Sequence, residues 1–503
     1  MVPEVPVPKI SFGGVQIGAK EQAASGAVEP GMPMRIAILG DFSGRANRGL
    51  EAGPAKLIQV DRDNLEEVLA KLDVRLERTI VAPGGEPVSI RFREIDDFHP
   101  DRLVPQVELF ESLRGTRRRL LNAATFDAAA AEVRGWSGAP AAAKPAPASP
   151  SDGGQGENVF ELLMNETEKR SADERASGLA DIHALIRDIA APYSVPGRPP
   201  QQTELVACVD QALAATLRAL LHHPDFQALE AAWRGLDWLV RQLETDNSLQ
   251  LHIWDISRDE LARDLASPEL EKSTLYRTLV EKGIGTPGGA RWGLLAGLYR
   301  FGAGEEDVQL LGRLAKIAAS AGAPWVSAAS GEVVGCPRPD ETPEVDDWSE
   351  PAEGAWKLLR ELPEAAYAGL AWPRYLARAP YGAKTSPIEA FEFEELAEGR
   401  PHVDHLWGNP ALLVAWSLGA SFVQSGWDLR PGEVNELSGL ASYVIADEDG
   451  SRLRPCGETV LRERGVERVR AQGLIPVLSS EHEDRVWLGA IQSLAGSELR
   501  GGW

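Results

Sequence analysis

Cysteine is scarce. The 503 residues hold three, Cys208, Cys336 and Cys456, far apart and without a CxxC pair. That usage argues against a disulfide framework and against a cysteine-ligated zinc site, and it fits a reducing compartment. Positive charge is also in deficit. Lysine and arginine total 52 against 75 acidic residues, a formal charge of −23, so the chain's field repels phosphate backbones and anionic lipid surfaces and nucleic acid is not an expected partner. The local run Arg114, Arg117, Arg118 and Arg119 reads as a solvated or ion-paired helix face, partly neutralised by Glu108 and Glu111. Long hydrophobic runs are missing as well. The most lipid-like stretch, residues 411–423, is interrupted by Ser417, Gly419 and Ser421 and falls short of the roughly 20 residues a spanning helix needs. It reads as a buried helix, with no membrane insertion. The first 34 residues show no basic segment leading into an apolar run, so no secretory signal is read there and a cytoplasmic location is expected.

What is present suits an ordinary globular chain. Hydrophobic residues make up 43% and charged residues 25%, and the length allows roughly three domains. The sharpest break in composition is 138–156, rich in Ala, Pro, Gly and Ser and without aromatic or branched aliphatic residues. Such a stretch cannot bury enough apolar area to offset its ordering entropy; stiffened by proline, it spans at most about 60 Å. A second break at 192–204 carries Pro192, Pro196, Pro199 and Pro200. The expected organisation is therefore an extended arm (1–33), an α/β region (34–137), a disordered tether (138–156), a helical segment (157–191) and a large folded region (205–503). Between 337 and 354, Asp340, Glu341, Glu344, Asp346, Asp347, Glu350 and Glu353 face the single base Arg338, which reads as a solvated acidic loop.

Local patterns assign the elements. The run RIAILG (35–40) is a short apolar strand that enters the turn Asp41, Phe42, Ser43, Gly44, and Val88, Ile90 and Phe92 alternate as a second strand. A helix starts near Pro100, and Pro105 within it predicts a kink or a late start. Phe226, Leu229, Trp233, Leu236, Val240 and Leu243 follow steps of three and four, the seam of a packed helix. Leu249, Leu251 and Ile253 share a strand face, and Ser257 with Glu260 forms a capping box for the next helix. From residue 293 the order strand, acidic-started helix, Gly322, strand implies a right-handed βαβ crossover.

Chemistry-bearing constellations are few. The segment 38–45 resembles a phosphate-cradling loop only superficially, because no Gly-Lys-Ser/Thr ends it and Asp41 would repel the ligand. Residues 285–289 read as a turn, since Pro287 removes a donor. His222, His223 and Asp225 raise the alternative of a metal-dependent hydrolase. Neighbouring imidazoles point about 100° apart on a helix, and Pro224 marks a helix start, so capping is the favoured reading. No Ser-His-Asp, Cys-His or HExxH set can be assembled, and neither an enzyme nor a cofactor is expected. Fourteen tryptophans, scattered and without a basic groove, suit packed cores and protein interfaces.

A chain of motifs carries a family resemblance. The stretch 221–236 (LHHPDFQALEAAWRGL), then Pro373-Arg374, Ala379-Pro380-Tyr381-Gly382, the run 391–395 (FEFEE), Leu406-Trp407-Gly408-Asn409-Pro410 and Gly473-Leu474-Ile475-Pro476-Val477 resemble the large subunit of the type VI secretion contractile sheath. Residues 39–45 (LGDFSGR), 96–104 (DDFHPDRLV) and 117–120 (RRRL) are similar to the small sheath subunit, normally a separate chain. The resemblance implies two sheath-type α/β domains with mixed sheets and flanking helices, fused through the tether at high effective concentration. It implies a structural role, with other sheath subunits or further copies of itself as partners, together with inner-tube and baseplate proteins. Strands exchanged between protomers knit such lattices, and Ile10, Phe12, Val15 and Ile17 are the candidates for one. An AAA+ unfoldase recognises an N-terminal helix of the large subunit, a place taken here by Val159, Leu162, Leu163 and Glu166. Family large subunits continue well past the equivalent of Ser493, whereas this sequence stops at Trp503. The expectation is thus a fused protomer that caps, seeds or regulates a sheath, with a full sheath subunit of a divergent contractile system as the alternative.

Overall fold

The computed structural model describes residues 10–14, 31–50, 55–81, 87–136, 202–283, 291–396, 401–447, 450–481 and 483–503. The tether 138–156, the helix expected at Val159, Leu162, Leu163 and Glu166, the strand candidates Val15 and Ile17, and the turn 285–289 lie outside the described residues. The fold is mixed α/β, and the chain divides into two compact units. The first is formed by Met1–Val68, Ala231–Ala379 and Leu406–Trp503, the second by Leu69–Glu230 and Pro380–His405.

A nine-stranded sheet organises the first unit. Its strands in chain order are β1 (Met34–Gly40), β2 (Leu57–Val60), β3 (Leu249–Asp255), β4 (Trp292–Phe301), β5 (Trp325–Ala329), β6 (Ala368–Trp372), β7 (Glu436–Leu437), β8 (Leu474–Ser479) and β9 (Val486–Leu488). Across the sheet the order is β7-β9-β8-β6-β5-β4-β1-β3-β2. From β8 to β3 all neighbours run parallel, while β2 and the β9–β7 edge are antiparallel. Interior parallel strands are covered on both faces, and so β1, β4, β5 and β6 read as near-continuous apolar runs instead of alternating ones.

Helices lie on each face. Ala37 and Leu39 belong to the core that includes Leu311, Leu314 and Ala318 of the helix Glu305–Ala321. Ile36 points the other way and reaches Gly419 of the helix Ala411–Ser425. The expected βαβ crossover is present: β4, the helix and β5 follow in order, with Glu305, Glu306 and Asp307 in the positive first turn and Gly322 (φ 64°) closing the helix in the left-handed conformation. The lipid-like stretch is the buried helix Ala411–Ser425, where the Ser421 hydroxyl donates to the Ser417 carbonyl and that of Ser417 to Val434. Among the described residues no single helix is long and apolar enough to cross a membrane.

The second unit is built on a hairpin and helices. Strands Val74–Val81 and Pro87–Phe92 pair antiparallel. Phe92 stacks on Phe98 at 4.1 Å between ring centroids, and Phe226 meets both edge-on at 6.1 and 6.0 Å. The helix expected from Pro100 is divided into Pro100–Leu103, a 3-10 turn Val104–Gln106 and Glu108–Leu121. Pro105 lacks the N–H that an unbroken helix needs, which accounts for the division. The arginine run on that helix is ion-paired, with Arg117 on Asp210 at 2.5 Å, Arg114 on Glu111 and Arg119 on Glu132.

Candidate functional site: a joint between distant segments

The C-terminal end of β1 is where the sequence singled out a glycine-containing turn. Beyond Gly40 the chain bends through Phe42 and Ser43, and Gly44 takes a left-handed conformation (φ 75°) that opens the one-turn helix Arg45–Arg48. The Asp41 carboxylate closes this turn by accepting from the amides of Arg45 (2.6 Å) and Ala46 (2.8 Å). Asp255, at the end of β3, accepts from the amides of Phe42 (2.9 Å) and Ser43 (3.0 Å) and from the Ser43 hydroxyl (2.6 Å). These are the backbone donors an anion would need. The chain's own carboxylates occupy them, so the arrangement serves as a clasp instead of a phosphate cradle.

The clasp is completed from the following helix. Ser257 and Glu260 form the expected capping box of Arg258–Asp264, and Glu260 also receives the Arg45 guanidinium, Nε at 2.8 and 3.0 Å and Nη2 at 2.8 Å. The Glu260 side chain is 2% exposed. Burial works to raise its pKa, but the hydrogen bonds from Arg45 and Ser257 outweigh burial and hold it below the usual carboxylate range. The same contact raises Arg45 above its ordinary value. Asp41 is shifted up, first by burial, against the pull of its two amide donors and with help from the charges of Asp255 and Glu260. Above the clasp, Trp233 donates to the Phe42 carbonyl at 2.7 Å and meets the Phe42 ring edge-on at 5.5 Å. Tyr299 donates to the Ile256 carbonyl at 2.8 Å, and burial followed by the three nearby carboxylates raises its phenol well above the ordinary value.

The histidine pair lies elsewhere and diverges. Nδ1 of His222 is 3.3 Å from Asp404 and its Nε2 3.8 Å from Glu395. His223 accepts from the Asp225 amide at 3.2 Å, as a cap of the helix Pro224–Gln242, and burial lowers its pKa against the pull of Asp225. The two imidazoles thus address different partners, and among the described residues no group of three or more His, Cys, Asp or Glu is arranged to hold a metal ion.

Of the arm residues, Ile10 and Phe12 pack on this chain's own core. Phe12 fills the notch over Gly312, where an added Cβ would lie 2.2 Å from its ring. The arm's carbonyls are held by Gln309 and Arg313 on Ser11 and by Lys316 on Gly13 (2.6 Å), and Gly14 bridges to Glu269. The clasp partners Asp255 and Glu260 had no sequence signal as partners of Ser43 and Arg45. The one available hint was position, since both acids follow the carboxyl end of a strand, where open α/β sheets build their sites.

Comparison with known proteins decides the family. Residues 203–495 match the family described as EvpB/VC_A0108, tail sheath N-terminal domain. The chain belongs to this tail-sheath family. Residues 14–130 match a second family, described as type VI secretion system, VipA, VC_A0107 or Hcp2. The two matched regions share the central sheet: β1 and β2 come from the second match, the other seven strands from the tail-sheath match, and β1 lies between β3 and β4. A curated relative, the type VI secretion system sheath protein TssC1 of Pseudomonas aeruginosa, is 36% identical over 301 residues, which are 58% of this chain and 60% of the relative. The chain thus spans less than two thirds of that relative's length.

Proposed function

We propose that this chain is a structural component of a type VI secretion-like contractile apparatus, a sheath protomer in which the small-subunit-like and large-subunit-like regions are one polypeptide. One observation carries the reading: β1 of the VipA-matched region is an interior strand of the sheet, with Ile38 opposite both Ile253 and Ala296 of the tail-sheath region. An interior strand supplies hydrogen bonds on both edges and buried side chains on both faces, so the two regions form a fixed couple. A strand fixed in this way suits a building block, and among the described residues no group of three or more His, Cys, Asp or Glu is arranged to hold a metal ion. Its partners in this reading are further sheath subunits or copies of itself, with inner-tube and baseplate proteins as neighbours in the assembled apparatus. Recognition of the Val159 segment by an AAA+ unfoldase, and strand exchange through Ile10, Phe12, Val15 and Ile17, belong to the same proposal. No observation favours the metal-dependent hydrolase built on His222, His223 and Asp225.

Two experiments test it. A protease site placed in 138–156 and cut in the purified protein should leave the two fragments co-eluting, whereas halves that separate and stay soluble overturn the couple. Negative-stain microscopy of the protein, alone and with its genomic neighbours, then separates roles within the apparatus. Long tubes from the protein alone mark a full sheath subunit, and assembly only on another sheath marks a cap, seed or regulator.

A further inference from the structure

The arm is seated on one face of the helix Glu305–Ala321. Gln309, Gly312, Arg313 and Lys316 stand at i, i+3, i+4 and i+7, a single stripe along that helix. Gln309 (2.9 Å) and Arg313 (3.2 and 3.3 Å) donate to the Ser11 carbonyl, and Lys316 donates to that of Gly13 at 2.6 Å. Arg313 is itself fixed, since its guanidinium also donates to the Leu265 carbonyl. The segment 268–270 adds main-chain partners: the Gly14 amide donates to Pro268 at 2.9 Å, and the Gly14 carbonyl accepts from Leu270 at 3.4 Å. Every polar contact in this set is to main-chain atoms of the arm. The side-chain requirement falls on Phe12, whose ring takes the space a Cβ on Gly312 would need. Main-chain hydrogen bonds together with one aromatic anchor are how extended peptides are bound.

We infer that this stripe is a peptide-binding groove for an extended segment bearing an aromatic residue ahead of glycine, and that residues 10–14 of the same chain close it as a latch. Ile10 and Phe12 are only partly buried, and Ser11 and Gly14 are exposed, so little area holds the arm and the contact is reversible. Tethering offsets this, because an attached segment acts at an effective concentration of order mM and a free one must compete with it.

The latch also excludes pairing elsewhere. An N–H has one proton to donate, so while Gly14 bonds Pro268 its amide cannot enter a ladder with another strand. Gly13, at φ 67°, lies outside the strand region. The docked arm is thus not in the extended form that strand exchange requires. This consequence rests on the exchange reading above, whereas the groove does not.

The test uses the full chain and a fluorescein-labelled peptide of residues 8–17. Gly13→Ala disfavours the left-handed φ and brings a Cβ to 3.0 Å from the Pro268 carbonyl, while leaving the helix stripe, Ile10 and Phe12 untouched. With its own arm released, this variant should bind the peptide at least tenfold more tightly than the wild-type chain does, and exchange of the Gly14 amide should accelerate. Adding Gly312→Ala fills the notch and should abolish peptide binding. Alanine is the better helix former, and circular dichroism and Tm matching Gly13→Ala establish that the double variant is folded. Equal peptide affinity for wild type and Gly13→Ala, or unchanged Gly14 exchange, overturns the latch, and undiminished binding by the double variant overturns the groove. Co-sedimentation separates this inference from the exchange reading, since Gly13→Ala should self-associate at lower concentration than wild type. Peptide binding that follows these variants without any gain in self-association leaves the latch standing and removes strand exchange through the arm.

Discussion

Arg45 and Glu260 stand 215 positions apart in sequence and meet through three hydrogen bonds of 2.8 to 3.0 Å. Glu260 simultaneously caps its own helix, so a single carboxylate ties the turn after β1 to the helix after β3. Removing one member of a largely buried pair leaves the other charge uncompensated. Arg45→Ala should therefore cost about 3 kcal/mol of unfolding free energy in urea titration. Glu260→Gln preserves the capping geometry but not the charge, and it should cost less than Glu260→Ala. Equal losses for the two would show that the cap contributes nothing beyond the charged contact with Arg45.

Acid sensitivity should follow His252. Burial in β3, followed by the charge of Arg35, lowers this imidazole from 6.5 to about 4. With the folded value depressed, the unfolded chain takes up the proton first. Its contribution to stability is complete above pH 6.5 and lost as pH falls toward 4. His252→Gln, which does not titrate, should make the decline of Tm across that window shallower. An identical slope in wild type and variant would rule the group out. Glu260, also depressed, adds its loss only at lower pH, and Asp41, shifted up, works in the opposite sense.

The centre of the sheet has no room at Gly297. An added Cβ would lie 2.2 Å from the Trp325 ring and 2.7 Å from the Ser327 hydroxyl, and Trp325 is 1% exposed. Gly297→Ala should destabilise by about 1–3 kcal/mol through overpacking, read as a lower urea midpoint at unchanged m-value. Full tolerance would mean that the tryptophan can move.

Phe12 anchors the arm. Phe12→Ala should empty the notch over Gly312 and loosen residues 10–14, and hydrogen exchange at Gly14, whose amide donates to Pro268 at 2.9 Å, should accelerate. Gly312→Leu closes the notch and should give the same result from the opposite side. Unaltered exchange in both variants would mean that Arg313 and Lys316 hold the arm unaided.

Local chemistry was readable before the structure. The apolar run at 35–40, the capping box Ser257/Glu260, the acidic first turn at Glu305 and the stop at Gly322 each express a backbone preference within a few residues, and each appears where its pattern stands. The seam Phe226, Leu229, Trp233, Leu236, Val240 and Leu243 is buried throughout. The turn 41–44 drew attention through its glycine and acids, but nothing nearby named Asp255 as its acceptor, because that partner is more than two hundred residues away.

The amino-acid order by itself determined the strand at 35–40, the capped helix after Ser257, the helix from Glu305 to its stop at Gly322, and the net negative field, since these depend on neighbours in the chain and on composition. Only the tertiary structure decided that β1 sits between β3 and β4, that carboxylates close the turn beyond it, and that Arg374 and Arg454 share Trp407. An apolar strand buried on both faces accepts any neighbour of matching register. Which neighbour it takes is settled by the packing of the whole sheet and the pairing of charges at its ends.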